Sequence, residues 1–191
     1  MVIALKMGVG AQALRDSPMI QSWLHYARWP HALAAVMLAS AAVRAEPPTP
    51  EDYVMHVGGG AQIVAAGMLT IDGQKVICGN RRTVLDSKLD DYAAAYPTFL
   101  ILNPRLLGKI KSTPVKLWIY AHECGHQFRG PDEETADCFA VQRGRRQGWL
   151  TPAGLDDICA FIAPAKATNV HYGGPKRCAA MRSCYADPLV R

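Results

Sequence analysis

Three things are missing from this chain, and each absence narrows its reading. None of the six cysteines forms a CxxC pair, which argues against a structural zinc site built from paired thiolates. No apolar run reaches the roughly 20 residues that a bilayer-spanning helix needs; the segment 32–45, ALAAVMLASAAVRA, stops at 14. A broad basic and aromatic surface is also lacking. Arg143, Arg145 and Arg146 cluster, but they fall where a helix should end and where cations offset its dipole, so nucleic acid is not an expected partner. There is no internal repeat and no low-complexity tract. Gly58-Gly59-Gly60 beside His56 lacks the Lys and Ser/Thr of a phosphate loop.

Half of the 191 residues are hydrophobic, a composition suited to a globular product. The 32–45 stretch follows Arg28 and His31 and ends in Val43-Arg44-Ala45, the small-residue pattern of a signal-peptidase site. Residues 1–45 are therefore expected to be a removed signal peptide, with Met19 an alternative start. Residues 46–191 are expected to form a single domain. Cleavage removes Lys6, Arg15, Arg28, Arg44 and Asp16 and lowers the formal charge from +5 to +2. No cysteine lies near the cut, so neither a lipid anchor nor stable membrane insertion is expected after signal removal. All six cysteines, at 78, 124, 138, 159, 178 and 184, lie beyond it. An even count in an exported chain points to disulfides and to a secreted or periplasmic location, with 15 connectivities open.

Local signals give a coarse organisation. A Pro-rich linker occupies 46–50, and Asp72-Gly73 marks a hairpin between strands over 62–71 and 74–79. The polar segment 80–96 reads as helix or loop. Thr98–Leu102 reads as a strand stopped by Asn103-Pro104. Thr113-Pro114 opens a helix that runs to Arg129, where Gly130-Pro131 ends it. Asp132 caps a second helix to Gln147, and Thr151-Pro152 opens a third to Ile162. The tail 163–191 reads as irregular and held by disulfides.

The chemistry is concentrated in AHECGHQFRGPDEETADCFA, residues 121–140. Helix positions four apart lie one turn apart on one face, so His122 and His126 can present imidazoles to one ion. Glu123 stands beside the first of them, within reach of a water on that ion without being a ligand. Catalytic zinc takes three protein ligands and keeps one open position. Glu133 and Asp137 are again four apart, so one carboxylate can bind metal while the other orients a histidine. Cys124 sits roughly 200° around the helix from His122, and Cys138 is likewise off the Glu133 face; both read as packing or disulfide residues. In the tail, His171 and Tyr172 of NVHYGGPKRC could donate to an oxyanion, or simply sit in a surface loop.

At these residues the chain resembles the gluzincin metallopeptidases, in which HExxH is followed on a later helix by a Glu ligand and an Asp four residues on. The run from Glu133 to Ala140 is particularly similar to the ExxADCFA run of bacterial neutral zinc metallopeptidases. The resemblance spans about residues 98–145. It implies zinc as cofactor, His122, His126 and Glu133 as ligands, Glu123 as general base and Asp137 as the partner of a ligand histidine. The sequence departs from the pattern in one respect: only six residues separate His126 from Glu133. Asp132 or Glu134 stays open as the third ligand, Asp132 having the metzincin spacing although Arg129 replaces the metzincin glycine.

The expectation is an exported zinc metallopeptidase of α+β class, a small zincin-like domain acting on a peptide or protein substrate. A short antiparallel sheet would pack on the active-site helix, beside a second ligand-bearing helix and a disulfide-bearing tail. Thr98–Leu102 is the expected strand for extended substrate. The competing expectation is a secreted, disulfide-stabilised binding or structural protein with a non-catalytic zinc site. Glu123, which a structural site does not require, separates the two.

Overall fold

The computed structural model describes residues 46–168 and 172–188. The expected signal peptide, 1–45, lies outside them, as does His171. The described chain is a small mixed α+β structure with three disulfides.

Four strands make the main sheet: β1 (Gln62–Val64), β4 (Arg82–Leu85), β5 (Ala93–Ala95) and β6 (Phe99–Leu102), in the order β1-β4-β6-β5. β4 and β6 run parallel, and the outer pairings are antiparallel. All four side chains of β6 are buried, as a strand covered on both faces requires. β2 (Thr70–Ile71) and β3 (Gln74–Lys75) form a separate hairpin. Its turn residues Asp72 and Gly73 both have positive φ, the geometry a two-residue hairpin loop demands.

The expected long hairpin is corrected here. Residues 62–64 leave it to pair with β4, and the chain turns at Gly67, whose φ of 70° suits glycine. The 80–96 segment is neither helix nor plain loop, since it supplies β4 and β5. Nor is Thr98–Leu102 an open edge. Pairing to β4 on one side and β5 on the other uses its backbone on both flanks, which leaves β5 as the sheet edge on the side of the long helix.

That helix, α3 (Thr113–Arg129), is the centre of the molecule, buried at Val115 and continuously from Leu117 to Gly125. Pro114 fits its first turn, where no amide proton is needed. α4 (Glu133–Gln147) begins where Asp132 accepts the Thr135 amide, and α5 (Pro152–Ile162) where Thr151 accepts the Gly154 amide. Two short helices, α1 (Pro50–His56) and α2 (Pro104–Leu107), start at capped prolines that had read as linker and strand stop. The tail is not irregular: Gly174–Ala186 is a helix, α6, packed on α4 and α5. Cys138–Cys184 ties α6 to α4 and Cys159–Cys178 ties it to α5, while Cys78–Cys124 ties the centre of α3 to the loop after the hairpin.

The α3 and α4 axes approach closely because the contact is made by small residues. A Cβ on Gly125 would stand 3.0 Å from Ala136 Cα and 3.1 Å from its carbonyl oxygen. Gly130 makes the turn between the helices with φ 85° and ψ −166°, a region essentially reserved for glycine. These two glycines bring the start of α4 back over the last turns of α3.

Candidate metal centre

The turn places Glu133, the first residue of α4, against both histidines. Its carboxylate oxygens lie 3.1 Å from His122 Nε2 and 3.5 Å from His126 Nε2, and the two Nε2 atoms are 3.1 Å apart. One donor atom from each of the three residues falls within 4.8 Å of the others. The six-residue connection is thus long enough. Asp132 is exposed and its carboxylate is engaged in capping α4, and Glu134 is exposed as well. Of the three carboxylates left open by the sequence, Glu133 is the one that joins the histidines.

What surrounds the rings fixes their chemistry. His122 Nδ1 is 2.9 Å from Asp137 Oδ1, and His126 Nδ1 is 2.9 Å from the Gly130 carbonyl oxygen. Both partners are acceptors, so each Nδ1 carries the proton and donates it. In the neutral tautomers each Nε2 then offers a lone pair, and both lone pairs point toward the Glu133 carboxylate. Three acceptors facing one another need a cation between them. A divalent metal meets that need, as does a proton retained on an imidazole. Burial works against charge on His122, yet its hydrogen bonds to Asp137 and Glu133 and the nearby charges of Asp137 and Glu123 raise its pKa to about 10. His126 is raised in the same way, against burial, by Glu133 and the Gly130 carbonyl.

Asp137 is itself held. Arg177 of α6 donates from Nε to Oδ2 and from Nη2 to Oδ1, both at 2.8 Å, and both residues are almost completely buried. Burial would raise the Asp137 carboxyl, but His122 and Arg177 hold it below its ordinary value. The Arg177 guanidinium also lies 5.5 Å from the Trp118 ring, one helical turn before His122. Sequence reasoning missed Arg177. It is 40 residues from Asp137, and its only local mark is that Cys178 follows it. The same mark recurs at Glu123-Cys124 and Asp137-Cys138, so each of the three disulfides takes a cysteine adjacent to a residue of this centre.

Glu123 is 4% exposed, and its Oε2 has no hydrogen-bond partner among the described residues. Burial pushes its pKa up, while the two histidines pull it down. An orphaned buried carboxylate oxygen is costly unless a further group belongs beside it. Tyr172 is 47% exposed, with Lys176 Nζ 3.3 Å from its ring centroid. No protein-family model, curated protein or solved structure matches the chain.

Proposed function

We propose that the chain is a zinc-dependent metallopeptidase of zincin-like architecture, working in the oxidising compartment that its three disulfides suit. The observation that carries this reading is the convergence of two Nε2 lone pairs and the Glu133 carboxylate next to the unsatisfied Glu123 oxygen. His122, His126 and Glu133 would hold the ion, a donor set of the kind catalytic zinc uses. Zinc so held supplies a Lewis acid that acidifies water and polarises a carbonyl.

The chain's own residues do the rest. Glu123, too buried to lose its proton readily and too close to the histidines to keep it tightly, is suited to accept a proton from water and return it to a leaving amine. Asp137 and Gly130 keep the imidazoles in the tautomer that leaves Nε2 free. β5, the sheet edge beside α3, takes the role expected of Thr98–Leu102: its open backbone flank suits an extended peptide added as a further strand.

The test is Glu123→Gln. It should retain zinc and fold, and lose hydrolysis of extended polypeptides by about 10²- to 10⁴-fold, the scale of a general base. Zinc content is read on the purified protein and cleavage on a denatured-protein or peptide-library substrate. If the wild-type chain binds zinc yet cuts nothing in that library, a structural metal site replaces the catalytic one.

A further inference from the structure

On the opposite side of α3 from the histidines lies a cavity of about 250 Å³, bounded by the β2–β3 hairpin arm, α3, α4 and Trp149. Leu117, Tyr120 and Ala121 face it, and these positions lie roughly half a turn around the helix from His122 and His126. Its charge is one-sided. Lys75 and Arg143 line it, and among the described residues no acidic one does.

Arg143 is only partly exposed, and every acceptor it uses is neutral. Nη2 donates to the Ile77 carbonyl, Nε lies 3.3 Å from Gln147 Oε1, and Nη1 lies 3.0 Å from Cys124 Sγ. Burial pushes its pKa below the ordinary arginine value, and Arg146 nearby pushes in the same direction. Arg177, which is buried more deeply, is matched differently, by a bidentate carboxylate. A half-buried guanidinium with only neutral acceptors, at the wall of a cavity with a second cation, is suited to an anionic group.

We propose that this cavity binds a small organic carboxylate with an apolar or aromatic body, at a site separate from the metal centre. Arg143 and Lys75 take the carboxylate, while Val76, Leu117 and the Trp149 indole enclose the body. The volume suits it, since cavities of roughly 150 Å³ already admit benzene. Inorganic phosphate would satisfy the two cations but leave the apolar walls uncovered.

Benzoate is the probe, titrated calorimetrically into the whole purified protein as isolated and again after chelation, because a carboxylate could also bind a metal. One benzoate per chain should bind in both states with the same affinity, and more weakly as salt rises. Arg143→Gln should weaken binding at least about tenfold, as loss of a charge-assisted pair does, and Lys75→Gln by about threefold. Lys75 is at the exposed rim, so its variant keeps the test open if Arg143→Gln does not fold. Loss of binding on chelation, phosphate binding as tight as benzoate, no saturable binding, or affinity unmoved by Lys75→Gln would each overturn the assignment. None of these outcomes bears on hydrolysis by the metal centre.

Discussion

The two histidines bring Nε2 to the same carboxylate with different support. His126 is oriented by the carbonyl of Gly130, four residues away, so its anchor forms with the end of its own helix. His122 is oriented by Asp137 from α4, which is held by Arg177 from α6, which is clamped by disulfides to α4 and α5. One anchor is local backbone, and the other is a relay of buried charges across three helices. A backbone carbonyl cannot be mutated away and costs nothing to desolvate beyond the helix end itself. A buried carboxylate is held only as long as its guanidinium stays. Disruption should therefore be strongly asymmetric between the two ends of the site.

The largest effect should come from Arg177→Leu, which leaves Asp137 buried beside His122 without its cation. Breaking a buried pair in this way costs about 3–5 kcal/mol, read as a drop in the denaturation midpoint of the metal-free protein. Arg177→Lys should recover only part of it, because an ammonium cannot reproduce the two parallel bonds at 2.8 Å. A midpoint unchanged in Arg177→Leu would remove the relay from the argument.

Next in size is Asp137→Asn. The amide keeps the shape but gives up the charge, and loss of such a supporting carboxylate lowers metal affinity by about 10- to 100-fold. Competition with a calibrated chelator measures it. An affinity equal to wild type would mean that His122 needs no help beyond the helix.

Gly130→Ala probes the other end. The carbonyl survives, so the His126 bond is retained in kind, and nothing stands within 4 Å of a new Cβ. The cost is the backbone itself, about 1–3 kcal/mol for a side chain forced into the φ 85°, ψ −166° region. Stability should fall while the metal affinity of the folded fraction changes less than in Asp137→Asn. The reverse order would make the local anchor the more fragile one.

The same division explains what could be read from the sequence. The limits of α3, α4 and α5 were legible because prolines, Asp132, Thr151 and Gly130 specify helix ends within a few residues. The i, i+4 spacing paired His122 with His126 and Glu133 with Asp137, whereas Glu133 as third ligand rested on the resemblance, with Asp132 and Glu134 open until the turn at Gly130 brings Glu133 to the histidines. β5 was not legible: Ala93-Ala94-Ala95 carries helix propensity, and only pairing with β6 makes it a strand. β4 was hidden in a polar stretch and exists because β6 accepts it in parallel. α6 was missed because Gly, Pro and Cys dominate its start, and its place is set by Cys138–Cys184, Cys159–Cys178 and the Arg177–Asp137 pair, all long-range.

The smallest effect per step is in pH, and it should run in opposite directions for the stability of the metal-free protein and for its metal affinity, so that the stability of the metal-loaded protein is nearly flat. In the metal-free protein His122 is raised from 6.5 to about 10. A raised histidine contributes stability that is fully present below pH 6.5 and is lost as pH rises toward 10, by about 1.4 kcal/mol per unit for one proton. Metal binding must displace that same proton, so affinity should rise about tenfold per unit over the same range and level off near 10. Asp137→Asn lowers the His122 value toward 6.5, and should flatten both slopes above neutrality while leaving the His126 end untouched. Denaturation midpoints and chelator competition at pH 7, 8 and 9 provide the measurement. Parallel slopes for the metal-free and metal-loaded protein would show that His122 does not hold the proton that metal displaces.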